Sequence, residues 1–345
     1  DAQESRGLGD VYKRQRKLPW RETRDPYKIW LSEIILQQTR VAQGMPYYHR
    51  FLEAFPTVHE LAHASEENVL KLWQGLGYYS RARNLHATAQ IVVEQFKGEF
   101  PTTYEGLKFL KGVGDYTASA IASFCFDVPE PVVDGNVYRV LARYFGVDIP
   151  INSPAGIKYF KELAKEVMDT ENIRDYNQGI MEFGAIQCAP KKPNCLLCPL
   201  NDGCVALKDN KVDSLPVKTN KTKVRIRHFN YLVYLDERNQ TIMEKRKGKD
   251  IWQNLYQFPL LESEKEIQAE AFQQHFKSEM VLEPFESYYL FNTEPIVHKL
   301  SHQHLHTKFW ILKTFHNLEN GTPWDVVTKF PVPVLIADFI RTLKI

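Results

Sequence analysis

The sequence predicts an all-helical domain followed by an α+β domain, with a basic linker between them. Three observations support this prediction. Apolar residues recur at helical spacing from residue 26 to about residue 205, whereas from Phe229 onward they alternate with a period of two. Between these regions, Asp, Asn, Ser and Pro residues at 209–220 interrupt the regular pattern. The 345 residues are also enough to build two hydrophobic cores.

The individual elements follow from local signals. Asp25-Pro26 pairs an N-cap residue with proline at the first helical position. Further helices are predicted at 66–75, 80–97, 103–110, 116–125, 134–145, 155–169 and 174–186. In the second domain we predict strands at 229–235, 241–246, 285–292, 296–303 and 305–313, and helices at 264–277 and 334–343. The predicted boundaries are an unassigned tail at 1–15, a helical domain at 16–208, a linker at 209–225 and an α+β domain at 226–345.

Composition is ordinary for a soluble globular protein, with 43% hydrophobic and 25% charged residues. No apolar run is long enough to span a membrane, so we expect no membrane partner. The net charge of +2 does not by itself indicate a polyanionic partner. A nucleic-acid-binding surface would therefore require basic residues to cluster locally. One basic cluster lies between Lys211 and Arg227 and includes Lys218, Lys221, Lys223 and Arg225. A solvated linker is the alternative explanation for this cluster.

Four of the five cysteines lie within seventeen residues, as Cys188, Cys195, Cys198 and Cys204. Four thiolates in one short loop can hold a tetrahedral metal ion or an iron–sulfur cluster. Disulfides are less favoured, because nothing at the N-terminus resembles a secretory signal. Zinc stays open, although a zinc site usually has two matched short pairs and here only Cys195–Cys198 is a CxxC.

Three further segments carry candidate chemistry. Gly112 and Gly114 form a tight turn before a helix N-terminus, which can bind phosphate or can be a plain interhelical turn. Glu33 lies in a helix that is apolar almost all round, so its pKa should rise and it can serve as a general acid, or it can be a capping or hydrogen-bonded structural glutamate. Asp134 stands before a glycine and a helix, where an N-cap role is the simpler explanation.

Together these segments resemble a known family. The helical domain is similar to the helix-hairpin-helix DNA glycosylases of the endonuclease III superfamily, which carry a [4Fe–4S] cluster. From Leu18 onward the chain resembles their MutY-type adenine DNA glycosylase branch. The resemblance rests on the glycine hairpin, the cysteine loop and four segments: Leu18-Pro19-Trp20-Arg21, residues 33–41 (EIILQQTRV), residues 74–83 (QGLGYYSRAR) and residues 133–137 (VDGNV).

The resemblance implies roles for individual residues. Glu33 matches the general acid that protonates the adenine ring, and Asp134 matches the carboxylate that stabilises or captures the positive charge on the sugar. Tyr116 and Asn136 match supporting groups beside these two acids. Residues matching DNA contacts are Arg21, Gln38, Thr39, Leu76, Tyr78, Gly112 and Gly114. The cysteines matching cluster ligands are Cys188, Cys195, Cys198 and Cys204. The glycines around Leu76 suggest that it lies in an exposed loop.

Strand-cleaving members of the superfamily carry a lysine two residues past the second hairpin glycine, where this chain has Tyr116. The resemblance therefore implies a glycosylase without lyase activity. Residues 226–345 resemble the Nudix-like C-terminal domain of the same branch, but the glutamate cluster that binds magnesium in Nudix hydrolases is absent from the sequence. Ser301 and His302 match a pair that contacts 8-oxoguanine opposite the adenine.

We therefore expect a monomeric base-excision-repair enzyme of the bacterial cytoplasm, associated with the nucleoid. Its substrate would be double-stranded DNA with adenine opposite 8-oxoguanine or guanine. The alternatives are an endonuclease III-like glycosylase for another base, such as thymine or an oxidised pyrimidine, and a non-catalytic DNA-damage-binding protein. The joint presence of Glu33 and Asp134 argues against the latter. A Nudix hydrolase is disfavoured by the missing magnesium signature.

Overall fold

A computed structural model describes residues 16–219, 224–272 and 282–345. These residues form two compact units. The first unit contains the described residues up to His63 and those from Asn84 to Thr219. The second contains Ala64–Arg83 together with the described residues from Val224 to Ile345.

The first unit is helical. A short 3-10 turn at Pro19–Arg21 precedes the helices. The helices are α1 (Pro26–Leu36), α2 (Val41–Ala54), α3 (Val58–His63), α5 (Ser80–Phe96, which begins in the second unit), α6 (Tyr104–Phe109), α7 (Asp115–Phe126), α8 (Gly135–Phe145), α9 (Pro154–Val167), α10 (Ile173–Ile186) and α11 (Val205–Lys208). A second 3-10 turn lies at Cys195–Leu197. The helix α4 (Glu66–Trp73) lies in the second unit.

Side-chain caps explain where several helices begin. The Asp25 carboxylate accepts from the Tyr27 amide, with Pro26 at the first helical position. Thr103 and Ser153 accept from the amides of Gly106 and Gly156 in the same way. These caps satisfy amides that have no partner inside the helix and so fix the start of α1, α6 and α9.

The core of the first unit includes a cluster formed by α8, α9 and α10. Val140, Phe160 and Phe183 are buried there. Leu215 belongs to the same cluster, and the amide of Ile151 donates to the Val217 carbonyl. The first part of the predicted linker is therefore packed against the helical unit. Lys221 and Lys223 of the predicted basic cluster lie outside the described residues.

The second unit is built on a mixed sheet. Its strands are β1 (Arg225–Leu235), β2 (Gln240–Thr241), β3 (Glu244–Lys245), β4 (Tyr256–Gln257), β5 (Leu260–Ser263), β6 (Phe285–Leu290), β7 (Ile296–Lys299), β8 (Gln303–Thr314) and β9 (Thr322–Pro323). The long strands β1 and β8 run parallel, whereas β5 on one side and β6 and β7 on the other pair antiparallel. Two helices follow, α12 (Trp324–Val327) and α13 (Val334–Thr342).

Aromatic side chains fill the core of the second unit on both faces of the sheet. Trp310 stacks on Phe272, with ring centroids 3.8 Å apart. Phe309, the next residue of β8, stacks on Phe339 of α13 at 3.9 Å. Because successive strand residues point to opposite faces, the apolar run at 309–312 buries β8 on both sides of the sheet.

The segment Ala64–Arg83 is bonded to the C-terminal residues of its unit by polar side chains. The Lys71 ammonium donates to the carbonyls of Thr328 and Phe330, at 2.6 and 2.9 Å. The Glu67 carboxylate accepts from Lys245 and from the Tyr256 hydroxyl. These bonds attach α4 to the sheet unit, although in sequence it lies between helices of the first unit.

Three differences from the predicted elements have local causes. The helices α2 and α3 were not separately predicted, since Gly44 and Pro46 weaken the helical pattern in α2. The predicted helix at 264–277 begins too early, because residues 264–268 are not helical. The Lys308 ammonium donates to the Ile267 carbonyl and pairs with the Glu266 carboxylate, and these contacts hold the segment out of helical form. Its part from residue 273 onward lies outside the described residues. The predicted strand 296–303 ends at Lys299, where a turn begins.

No helix in the part of the chain that the structure describes is both long and apolar enough to cross a membrane.

Candidate active site

Glu33 is a buried carboxyl group in the middle of α1. Its side chain lies among apolar neighbours of a helix that buries Ile29, Trp30 and Ile34. This burial raises the pKa of Glu33 to about 7, because an ionised carboxylate loses its hydration there. The Glu33 carboxyl group can therefore carry a proton at neutral pH, as the sequence predicted.

Tyr116 of α7 lies directly beside Glu33. Its hydroxyl donates to the Glu33 carboxyl group, and this hydrogen bond lowers the pKa of Glu33 against the larger effect of burial. Burial, with the nearby negative charges of Glu33 and Asp134, raises the pKa of Tyr116 well above its ordinary value. Tyr116 is therefore a neutral hydrogen-bond donor at every working pH.

Asp134 is the N-cap of α8. Its Oδ1 accepts from the amides of Asn136 and Val137, both at 2.8 Å, and its Oδ2 accepts from Asn136 Nδ2 at 2.7 Å. Burial raises the pKa of Asp134 above its ordinary value, and these hydrogen bonds and the positive charge of Arg139 offset only part of that rise. The cap interpretation and the catalytic interpretation of Asp134 are thus compatible, because the cap orients the carboxylate.

The glycine hairpin joins α6 to α7. Gly112 has a φ of +78°, and a Cβ at this position would stand 2.7 Å from Asn84 Cβ on α5. Gly114 caps α7, and a Cβ added there would meet open space. The hairpin thus leaves the start of α7 accessible while Val113 is buried between the two glycines. Exposed amides at a helix N-terminus suit a phosphate group.

Arg21 is held by an acid that the sequence analysis did not single out. Its Nη2 donates to Glu182 Oε2 of α10 at 2.9 Å. Arg16 binds the same carboxylate through Nε and Nη2, at 2.7 and 2.8 Å. The positive charge of Arg21 acts on both Glu33 and Tyr116, which places it at the edge of the same site. No local sequence signal marks Glu182, because its partner Arg21 lies 161 residues away.

The four predicted cysteine ligands are free thiols. The thiol of Cys198 interacts electrostatically with those of Cys188, Cys195 and Cys204, so the four sulfurs lie in one region. Among residues 16–219, 224–272 and 282–345, no group of three or more His, Cys, Asp or Glu side chains surrounds a single metal-ion position.

Two arginines of α8, not predicted from the sequence, support the cysteine loop. Arg139 Nε donates to the Cys188 carbonyl at 2.7 Å, and its Nη2 donates to Asn136 Oδ1 at 3.0 Å. Arg143 Nη1 donates to the Ala189 carbonyl at 2.8 Å and lies 3.5 Å from Cys188 Sγ. Arg139 therefore connects the Asp134–Asn136 cap to the cysteine loop through a short chain of hydrogen bonds.

The second unit brings Tyr78 and Ser301 together. Their hydroxyl oxygens are 2.7 Å apart. Ser301 and His302 occupy the turn between β7 and β8. Both residues and Tyr78 line a cavity of about 360 Å³ that Trp252 and Lys299 also border. Tyr78, with a φ of +47°, is 45% exposed and presents its ring at this cavity.

The remaining predicted DNA contacts have different environments. Gln38 is exposed and has a positive φ of 55° just after α1, and Thr39 follows it, with its hydroxyl 3.3 Å from the Gln37 carbonyl. Leu76 differs from the expectation of an exposed loop, since only 6% of it is accessible. The turn formed by Gly75 and Gly77, both with positive φ, directs Leu76 inward.

Comparison with known proteins supports one family. Residues 31–166 match the HhH-GPD superfamily base excision DNA repair protein family, and residues 230–341 match the NUDIX domain. Over 245 residues the chain is 38% identical to the adenine DNA glycosylase of Buchnera aphidicola subsp. Schizaphis graminum, covering 71% of this chain and 70% of that protein. The chain belongs to the adenine DNA glycosylase family.

For other members of the family, the match covers a smaller share of the relative's length. The adenine DNA glycosylase of Arabidopsis thaliana is 37% identical over 294 residues, with 73% of this chain and 46% of that protein covered. The human adenine DNA glycosylase is 43% identical over 201 residues, with 56% of this chain and 37% of the human protein covered. The structure of a thermostable thymine-DNA glycosylase matches with a TM-score of 0.55 and 30% identity, covering 59% of this chain and 94% of the other.

These comparisons confirm the predicted family and fold class. A helix-hairpin-helix glycosylase domain is followed by a Nudix-like domain with a mixed sheet, as the sequence predicted. An endonuclease III–DNA complex, at 22% identity and a TM-score of 0.52, shares the fold of the helical part. The individual site residues and the predicted domain boundaries stay predictions.

Proposed function

We propose that this protein is a monofunctional DNA glycosylase that excises adenine paired with 8-oxoguanine or guanine. The observation that carries this proposal is a pair of neighbouring acids: buried Glu33 has a pKa of about 7 and the Tyr116 hydroxyl beside it, and the negative charge of Asp134 acts on it. Family membership supports an adenine glycosylase in base excision repair. Tyr116, at the position where strand-cleaving relatives carry lysine, supports base removal without strand cleavage.

The two acids divide the reaction between them. Protonated Glu33 donates its proton to the adenine ring, so that the base leaves neutral. Breaking the N-glycosidic bond leaves positive charge on the sugar, which the Asp134 carboxylate stabilises from its fixed position at the α8 cap. Asn136 holds Asp134 through two hydrogen bonds, from its amide and from its side chain. Water then completes hydrolysis at the sugar carbon.

The adenine has to leave the helical stack before it can reach Glu33. Arg21 would border the base pocket, and the amides at Gly112 and Gly114 would bind the DNA backbone. Gln38, Thr39, Leu76 and Tyr78 would fill the space left in the duplex. Leu76 is buried in the free protein, so that role requires the loop between Gly75 and Gly77 to rearrange on DNA.

The opposite base would be read by the second unit. The cavity lined by Tyr78, Ser301 and His302 offers two hydroxyl groups and an imidazole at one place. Such groups can hydrogen-bond the additional oxygen and N–H of 8-oxoguanine, which guanine lacks. We assign recognition of the opposite base to these three residues.

We further propose that the four cysteines hold a [4Fe–4S] cluster. In such a cluster each thiolate binds its own iron, so the sulfurs stand farther apart than ligands around one ion, and four neighbouring free thiols fit this requirement. The cluster would supply rigidity to the loop and no chemistry at the sugar. Lys191 and Lys192, both exposed in this loop, are placed to meet DNA phosphates.

As a repair enzyme for double-stranded DNA, the protein would act as a monomer in the bacterial cytoplasm, at the nucleoid.

The substrate proposal is tested with duplexes that carry adenine opposite 8-oxoguanine, guanine or cytosine, and thymine opposite guanine. Half of each reaction is treated with alkali, so that base removal is separated from strand cleavage. We expect adenine release opposite 8-oxoguanine and guanine only, with strand breaks only after alkali. Release of thymine, or strand breaks without alkali at the rate of base release, would contradict the proposal.

A further inference from the structure

The most completely satisfied buried acid beside the active site is one that the proposed reaction does not use. The side chain of Glu182 is 1% exposed. Its Oε1 accepts a hydrogen bond from Arg16, and its Oε2 accepts from both Arg16 and Arg21. The amide of Arg16 adds a further bond at 3.2 Å. Against the effect of burial, these donors lower the pKa of Glu182 to about 2, so that it is ionised at neutral pH.

The geometry connects this acid to Glu33 through Arg21. Arg21 closes the 3-10 turn that packs on α1, and its side chain is 14% exposed. Its charge favours ionised Glu33, which opposes the protonated state that a general acid needs. An arginine at the edge of a base pocket is therefore compatible with a protonated Glu33 only if its charge is balanced nearby.

We propose that Glu182 is a positioning residue for the active site: it fixes Arg21 at the base pocket and neutralises the arginine's charge, so that Glu33 keeps its proton. This inference rests on the proposed function, because it assigns Glu182 to the same reaction. Arg16 shares the carboxylate but is 45% exposed, so solvent screens its charge.

Other charges around Glu33 do not replace this balance. Tyr116 is neutral, and Cys125, whose thiol pKa is raised by burial to about 12, is neutral as well. Asp134 is the other negative charge that acts on Glu33, and it belongs to the reaction itself. Helix α2 meets α1 with Gly44, packed against Leu36 and Ile35, and adds no charge at this contact.

The test is the pH dependence of adenine release under single-turnover conditions. Glu182→Gln keeps the shape and an acceptor oxygen but removes the charge, so Glu33 should lose its proton at lower pH. We expect the descending limb of the rate profile to move down by on the order of half a pH unit, which slows release about threefold at pH 8 and leaves it unchanged near pH 5.5. The matched control is Glu166→Gln on the exposed face of α9, which should not move the limb.

Two further variants distinguish charge balance from simple structural support. Arg21→Gln should move the limb to higher pH, whatever its effect on the maximal rate. The double variant, Arg21→Gln with Glu182→Gln, removes both charges of the pair, and the remaining Arg16 is 45% exposed and screened by solvent, so the limb should return to the wild-type position. This comparison holds even if Glu182→Gln alone folds poorly. Lower rates with an unmoved limb in all three variants would overturn the proposal.

The result also separates this inference from the proposed function. Wild-type protein that releases no adenine would refute the function itself. Wild-type protein that releases adenine with a limb near pH 7, beside a Glu182→Gln variant with the same limb, would refute only the role of Glu182.

Discussion

At the scale of single residues, burial decides which of the two acids carries a proton. Glu33 has one hydroxyl donor, from Tyr116, and an apolar helix around it, so its pKa rises to about 7. Asp134 receives three hydrogen bonds at its helix cap, and these offset part of the rise in its pKa that burial causes. The two acids thus differ because burial dominates at Glu33, whereas at Asp134 more hydrogen bonds oppose it.

The same burial makes Glu33 costly for stability. The pKa of Glu33 is about 7 in the folded protein and 4.5 when the group is exposed. The protonated carboxyl group is therefore tolerated in full below pH 4.5, and the free energy of unfolding falls as the pH rises to 7 and beyond. Glu33→Gln, which cannot ionise, should therefore gain stability over wild type between pH 5 and pH 8, by about 3 kcal/mol at pH 8. Urea unfolding at the two pH values measures the difference.

The matched control for this measurement is Glu94→Gln, an exposed glutamate of α5. Its stability relative to wild type should not depend on pH. A Glu33→Gln variant that gains no stability over this range would mean that Glu33 is ionised in the folded protein at neutral pH.

At the scale of elements, Asp134 has two roles that one substitution can separate. Asn caps helices as well as Asp does, so Asp134→Asn should keep the bonds to the α8 amides and unfold within about 1 kcal/mol of wild type. It removes the negative charge, and adenine release should fall by about 100-fold or more. Thermal unfolding and single-turnover rates measure the two effects. Near-normal release would leave Asp134 with the cap role alone.

The attachment of α4 to the sheet unit depends on Lys71. Its ammonium donates to two backbone carbonyls, and Met at this position would fill similar volume without donating. Leaving these carbonyls without that donor should cost about 1–3 kcal/mol. We expect Lys71→Met to increase hydrogen exchange in α4, with exchange in α8 of the first unit unchanged. The comparison variant is Lys71→Arg, which should retain most of the protection; equal loss in both would contradict this role.

Local sequence signals predicted most of the elements, because caps, apolar periodicity and the glycine hairpin each lie within a few neighbouring residues. They marked Glu33 and Asp134 as candidates, whereas the roles expected of the two acids came from the family resemblance. Glu182 was missed because its partner Arg21 is 161 residues away, and neither residue has a local signal for the pair. The grouping of α4 with the C-terminal unit was missed for the same reason, since Lys71 and Phe330 are separated by 259 residues. Leu76 was placed on the surface because flanking glycines do not reveal which way a side chain turns.

At the scale of the whole molecule, lesion preference is assigned to the second unit and chemistry to the first. Tyr78 and Ser301 share one hydrogen bond at the cavity of the second unit. Tyr78→Phe and Ser301→Ala should each reduce the preference for 8-oxoguanine over guanine. The double variant should reduce this preference little more than either single variant, because each single substitution already breaks the hydrogen bond between the two hydroxyls. Release of adenine opposite guanine should change little.

The readout is the ratio of adenine-release rates from the two duplexes at limiting enzyme. His304→Ala, a substitution on β8 outside the cavity lining, is the control and should leave the ratio unchanged. Additive losses from Tyr78 and Ser301 would show that the two hydroxyls act separately, and an unchanged ratio would remove the cavity from lesion recognition.

The most direct test of the central claim, that a protonated Glu33 drives adenine excision, is the single-turnover rate of Glu33→Gln at pH 6. The substrate is a duplex with adenine opposite 8-oxoguanine, and binding to the same duplex is measured in parallel. General acid catalysis contributes about 100- to 10,000-fold, so we expect a loss of at least 100-fold in release with affinity for the duplex largely kept. Release at a rate close to wild type would contradict the account.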